Sequence, residues 1–146
     1  MQCSRDKIMK TLIVFIGSTI AGDDTAGYVI YNKLRNKLSV RVKYAGTDLF
    51  KLYGFYRGEE KLIIVDAVYG ADDIIHFMGE EIFNLEGKSE NIHFVSAIEA
   101  LKILKETMKK FPQEIHIVGI PAKRMDRITY DKEMIDKAIK KIMEII

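Results

Sequence analysis

Two stretches of the chain, Thr11-Leu-Ile-Val-Phe-Ile16 and Leu62-Ile-Ile-Val65, are apolar at every position after the opening threonine. A strand with one wet face alternates apolar and polar residues. A strand without alternation needs cover on both faces, which parallel sheets obtain from helices packed above and below. Each run also stops abruptly, the first at Gly17 and the second at Asp66. Ile115-His-Ile-Val118, closed by Gly119, reads as a third buried strand. Val40 to Tyr44, with Arg41 and Lys43 alternating outward, reads as an outer strand, and Ile74 to Met78 as a fifth.

Helical spacing fills the gaps between these runs. Ala26, Val29, Ile30, Leu34 and Leu38 share one face of a segment from Asp24 to Leu38. Gly46-Thr47-Asp48 turns into a short helix carrying Leu49, Phe50 and Leu52. Ser96-Ala-Ile-Glu99 has the form of a capping box and opens a helix with Ala97, Ala100, Leu101, Leu104 and Met108 inward. From Asp131 to the carboxyl end, Met134, Ile135, Ala138, Ile139 and Ile142 mark a closing helix. Strands alternating with helices predict a three-layer α/β/α sandwich around a mostly parallel, twisted, five-stranded sheet of phosphorylase/hydrolase-like type. Right-handed crossovers place the strands ending at Ile16 and Val65 side by side in the middle. A polar leader over residues 1–10 and one domain over 11–146 are expected.

Composition removes several functions. With 146 residues and 48% hydrophobic content the chain can bury a core without disulfides. A net charge of +2 gives no reason to expect nucleic acid. Lys105, Lys109 and Lys110, like Lys137, Lys140 and Lys141, read as wet faces of amphipathic helices. The single cysteine, Cys3, can neither pair internally nor join a cysteine zinc site, which suits a reducing compartment. Ile13 to Ile16 is too short to span a membrane and no small-residue cleavage site follows it. A cytoplasmic protein without membrane insertion is expected.

In open α/β sheets, ligands bind beyond the carboxyl ends of the strands. Asp23-Asp24 follows the first strand, Asp66 ends the second apolar run, and His93 precedes the helix opened by Ser96. A carboxylate at such a place needs water, a partner or a cation. Two carboxylates and an imidazole form a three-ligand set for zinc, nickel or cobalt with positions left open. The same residues also fit plainer roles: Asp24 as a helix N-cap, Asp66 as a strand terminator, His93 as an exposed loop histidine. His76 and His116 lie inside strand-like runs and read as structural. Gly17-Ser-Thr-Ile-Ala-Gly22 lacks the order of a phosphate loop, and no Gly-x-Ser-x-Gly elbow is present.

Five elements, in order, resemble the hydrogenase maturation endopeptidases that trim the large subunit of nickel-iron hydrogenases. They are Ile16-Gly-Ser-Thr-Ile-Ala-Gly-Asp-Asp24 with Gly27, Gly46-Thr47-Asp48-Leu49, Leu62-Ile-Ile-Val-Asp-Ala67, His93-Phe-Val-Ser96 with Ala100-Leu101, and Ile117-Val-Gly-Ile-Pro121. The resemblance implies a metal-dependent endopeptidase in which Asp24, Asp66 and His93 hold metal and act in catalysis. The metal implied is nickel carried by the immature substrate, with zinc or cadmium able to stand in for it in vitro. The partner implied is a nickel-iron hydrogenase large-subunit precursor, whose extended tail would lie beside Gly46 and Thr47. Asp23 remains either a spare base or a structural support. The alternative is an accessory protein that recognises the metallated large subunit without cutting it. The chain departs from the family pattern at Ser18, where Asn is usual, at Thr25, where Gly is usual, and at Tyr44, where Asp often stands. The segment from Ala67 to Asp73 reads as a short loop.

Overall fold

The structure, a computed structural model, describes residues 10–85 and 92–146. Cys3 and most of the expected leader lie outside the described residues. The strands are β1 (Thr11–Phe15), β2 (Arg41–Tyr44), β3 (Lys61–Tyr69), β4 (Ile75–Met78), β5 (His93–Phe94) and β6 (Glu114–Pro121). The helices are α1 (Ala26–Leu34), α2 (Leu52–Phe55), α3 (Ala97–Thr107) and α4 (Lys132–Ile145). Single 3-10 turns at Gly22–Thr25 and Leu49–Lys51 lead into α1 and α2.

The sheet runs β2-β1-β3-β6-β4, with β5 added to the end of β3. β2, β1, β3 and β6 are parallel, and Phe15 faces Val65 across β1 and β3, so the two apolar runs are neighbours as expected. β4 runs antiparallel to β6. The sixth strand, β5, pairs His93 with Tyr69 and Phe94 with Val68. Two residues are too few to show a period of two in the sequence.

Alternation along β3 sorts the core into two layers. Leu62 and Ile64 join Leu12, Val14, Ile115 and Ile117 beneath α3 and the Leu49–Phe55 turn. Ile63 and Val65 join Ile13, Phe15, Val118 and Ile120 beneath α1 and α4. Each fully buried Leu or Ile contributes roughly 1.5–3 kcal/mol by leaving water, which explains why these runs tolerate no polar residue before Asp66. Helix α1 seats close to the end of β1: a Cβ on Gly27 would lie 2.2 Å from the Ile16 carbonyl oxygen. Only glycine permits that approach.

Four expectations change. The first helix begins at Ala26 instead of Asp24, because Asp24 sits in the 3-10 turn and Thr25 occupies the N-cap position without a side-chain cap. Asp66 does not terminate β3, which continues through it to Tyr69; the segment read as a loop from Ala67 is therefore strand for three more residues. Ser96 takes the N-cap position of α3 but makes no side-chain cap bond. Lys109 and Lys110 lie beyond the end of α3 at Thr107, so they do not form its wet face.

Candidate active site

Asp23 and Asp24 are adjacent and both buried, yet their surroundings differ. The Asp23 carboxylate accepts the backbone N–H of Lys123 at 2.7 Å and of Arg124 at 3.0 Å, and the Thr129 hydroxyl at 2.6 Å. It also accepts the Thr129 amide. Burial alone would raise its pKa, but the bonds from Thr129, Lys123 and Arg124 outweigh that and hold it below the ordinary carboxylate value. Asp23 thus fastens the loop after β6 to the loop after β1. Its oxygens are committed, which makes it a structural support and not a spare base.

Asp24 is the opposite case. One oxygen accepts the Ser18 amide at 3.1 Å. The other, Oδ1, is buried with no hydrogen-bond partner. Burial raises its pKa, with the Ser18 bond opposing. A buried oxygen without a donor is costly.

Asp66 lies fully buried inside β3, opposite Gly119 of β6. Its Oδ1 accepts the Ala67 amide at 2.9 Å, and its Oδ2 accepts those of Ser96 at 3.1 Å and Ala97 at 3.2 Å. The acid takes the part that the Ser96 side chain was expected to play, satisfying amides at the start of α3, where the helix dipole favours negative charge. Burial still pushes its pKa up to about 7, against the Ser96 bond and with help from the Asp24 charge. Two carboxyls near enough to repel one another, buried together just beyond the carboxyl end of β1, make a pair that a cation would relieve. The residues therefore fit a divalent ion, although among the described residues no group of three or more His, Cys, Asp or Glu side chains is assembled to hold one.

His93 stands apart. It is exposed on β5, and its partner Tyr69 is three residues beyond Asp66. Alternation puts Tyr69, and His93 with it, on the sheet face opposite Asp66. Tyr69 itself feels the acids: burial raises its pKa first, then the charges of Asp24 and Asp23. Sequence reasoning missed Tyr69 because the segment after Asp66 read as a loop.

Gly46, in a left-handed turn with φ of 64°, accepts the Gly17 amide at 2.7 Å through its carbonyl. Thr47 beside it is exposed. Tyr44 donates its hydroxyl hydrogen to the Gly17 carbonyl. Its ring packs on Tyr31 and Tyr28 at centroid distances of 5.5 and 5.0 Å. Burial, then Asp24 and Tyr28, raise its pKa. A phenol thus stands within the field of Asp24 at the position where the resemblance led one to look for a carboxylate. His76 and His116 bond each other at 2.8 Å, and His116 bonds Glu114 at 2.6 Å, on β4 and β6.

Known proteins resemble this chain in sequence and fold. Residues 29–146 match the family HycI, hydrogenase maturation protease. Protein FrxA of Pyrococcus furiosus is 37% identical over 129 residues, covering 86% of this chain and 93% of that protein. The [NiFe] hydrogenase maturation protease HybD from Thermococcus kodakarensis superposes with a TM-score of 0.75 at 32% identity, over 94% of this chain and 96% of that one. The hydrogenase maturating endopeptidase HybD from E. coli shares the fold, with a TM-score of 0.72 at 21% identity over 94% and 91% of the two chains. The chain belongs to the hydrogenase maturation protease family, whose members are peptide hydrolases.

Proposed function

We propose that this protein removes the C-terminal extension of a nickel-iron hydrogenase large-subunit precursor after nickel insertion, and that it does so in the cytoplasm. Asp24 and Asp66 hold the nickel that the precursor carries, and His93 joins them from the two-residue strand β5 only once the precursor is docked, so the ion is part of the substrate. Zinc and cadmium can replace it in vitro. The observation that carries this reading is the unpartnered, buried Asp24 Oδ1 beside an Asp66 whose pKa is about 7. Near neutral pH Asp66 keeps its proton part of the time. An arriving cation favours the ionised pair, releases that proton and fills the empty position at Asp24. A precursor without nickel brings no compensating charge, which is the basis of a checkpoint. Held by Asp24 and Asp66, the nickel would supply Lewis-acid polarisation of the scissile carbonyl. Gly46 and Thr47, at the end of edge strand β2, receive the extended tail.

Localisation rests on the family, since the only direct observation is that no helix among the described residues is long and apolar enough to cross a membrane. The placement of His93 on the face opposite Asp66 favours the second reading, an accessory protein that recognises the metallated large subunit without cutting it. Incubation with nickel-loaded and nickel-free precursor, followed by mass measurement, separates the two. Cutting of the loaded form alone is expected. Equal cutting of both forms removes the checkpoint, and cutting of neither selects the accessory reading.

A further inference from the structure

A cavity lies at the other end of the sheet from the acid pair. It has a volume of about 500 Å³ and is lined by Tyr53, by Tyr56 to Gly58 and by Thr107 to Lys110. It shares Tyr56, Gly58, Lys109 and Lys110 with a second cavity of about 470 Å³ that runs on to Lys10 and Gln113. Three properties define its chemistry. Arg57, Lys109 and Lys110 line the first cavity with no carboxylate among its walls, in a chain whose net charge is only +2. Among the described residues none of these three cations has an ion-pair partner, whereas the acids bordering the second cavity are engaged: Glu60 with Lys10 and Glu59 with Arg41. Tyr53, Tyr56 and Met108 supply an apolar and aromatic wall, and the Tyr53 hydroxyl is fixed by donating to the Thr107 carbonyl at 3.0 Å.

From this we infer that the groove is a docking site for an acidic segment of another polypeptide, in which carboxylates meet Arg57, Lys109 and Lys110 and an apolar or aromatic side chain packs on Tyr53, Tyr56 and Met108. The uncompensated positive charge selects an anionic partner. The helix end at the groove is the carboxyl end of α3, which offers no free backbone amides to cradle a phosphate. Phosphate sites use the amides of helix amino ends, so distributed carboxylates on a peptide fit better. The two cavities join past Gly58 into an open run, as an extended segment requires. Residues 1–9 join the chain at Lys10, but Arg5 and Lys7 against Asp6 give them the wrong sign to fill the groove. The groove is separate from the cleavage site, and its occupancy can be read without any proteolysis.

The test is fluorescence anisotropy of a labelled peptide alternating Glu and Phe, titrated with the whole protein at low and moderate salt. Binding that weakens at least tenfold in Lys109→Glu/Lys110→Glu, and equally in Arg57→Glu, is expected. Lys137→Glu/Lys140→Glu on α4 should leave it unchanged. Thermal unfolding of each variant shows whether the fold is kept, and Tyr53→Ala provides a second, charge-neutral loss of affinity. A Lys and Phe peptide should not bind. Equal loss in the α4 variants, no loss in the groove variants, or tighter binding of inorganic tripolyphosphate or single-stranded RNA than of the acidic peptide would each overturn the assignment. Because binding is read directly, failure here leaves the cleavage reading untouched, and failure of cleavage leaves this one untouched.

Discussion

The Asp66 carboxylate accepts the backbone N–H of Ser96 at 3.1 Å, tying the middle of the central strand to the first turn of α3. The bond fixes the acid in place, yet it does not compensate the loss of water around a fully buried charge. The protein therefore holds a carboxyl poised to ionise within its central strand, and its stability should record this.

The folded pKa of Asp66, about 7, stands above the reference value of 3.8. A group raised on folding contributes stability that is complete below its unfolded pKa and is lost as pH rises through the folded one. Asp66→Asn removes that dependence. Relative to the variant, the natural protein should lose on the order of 2–4 kcal/mol between pH 4 and pH 8. Urea unfolding of both proteins at the two pH values measures the difference. A gap that stays constant with pH would mean Asp66 ionises as freely as in an unfolded chain.

A divalent ion should relieve the Asp24–Asp66 pair directly. Cadmium or zinc added to the free protein should raise its melting temperature, more at pH 8 than at pH 5.5, since the bound state needs both carboxylates ionised. At about a hundredfold excess over Kd the gain is roughly 2.7 kcal/mol. Asp24→Asn and Asp66→Asn should each remove most of it. If both variants retain the full shift, the ion binds elsewhere, with the His76–His116 pair as the first place to look.

His93 is exposed, so its loss should leave the fold intact. His93→Ala is expected to abolish precursor processing while changing unfolding stability by less than about 0.5 kcal/mol. Mass spectrometry of the precursor and a denaturant titration make the two readings. Normal processing by the variant would remove His93 from the site.

Asp23 should behave in the reverse way. Asp23→Ala leaves the amides of Lys123, Arg124 and Thr129 without their acceptor in a buried setting. A loss on the order of 2–4 kcal/mol is expected. Asp24→Ala removes one oxygen that already lacks a donor and one that accepts only the Ser18 amide, which also reaches the Asp24 main-chain carbonyl, so it should cost far less. Comparable losses in the two variants would contradict the division of labour between the adjacent acids.

Much of this architecture was legible in the residues. β1, β3 and β6 announce themselves because strands covered on both faces are apolar over most of their length, and closing helix α4 shows its period together with an N-cap in which the Asp131 side chain accepts the Met134 amide. The acid pair was legible by position alone. What stayed hidden were choices made by tertiary contacts. Asp66 looks like a stop signal, yet the amides of α3 let the strand run through it. Ser96 looks like a cap, yet a carboxylate thirty residues away supplies the bond. Lys109 and Lys110 continue a helical spacing that the chain abandons after Thr107, because Met108 turns to extended backbone. The side of the sheet taken by His93 depends on a pairing of only two residues, which leaves no periodic trace.

At Gly27 and Gly17, any side chain would collide with main-chain oxygens, those of Ile16 and Asp24 respectively. The address of residue 24 is thus set by two neighbours that carry no chemistry themselves. A substitution at 24 changes what is presented there but not where, whereas alanine at either glycine would dislodge an intact acid from its post.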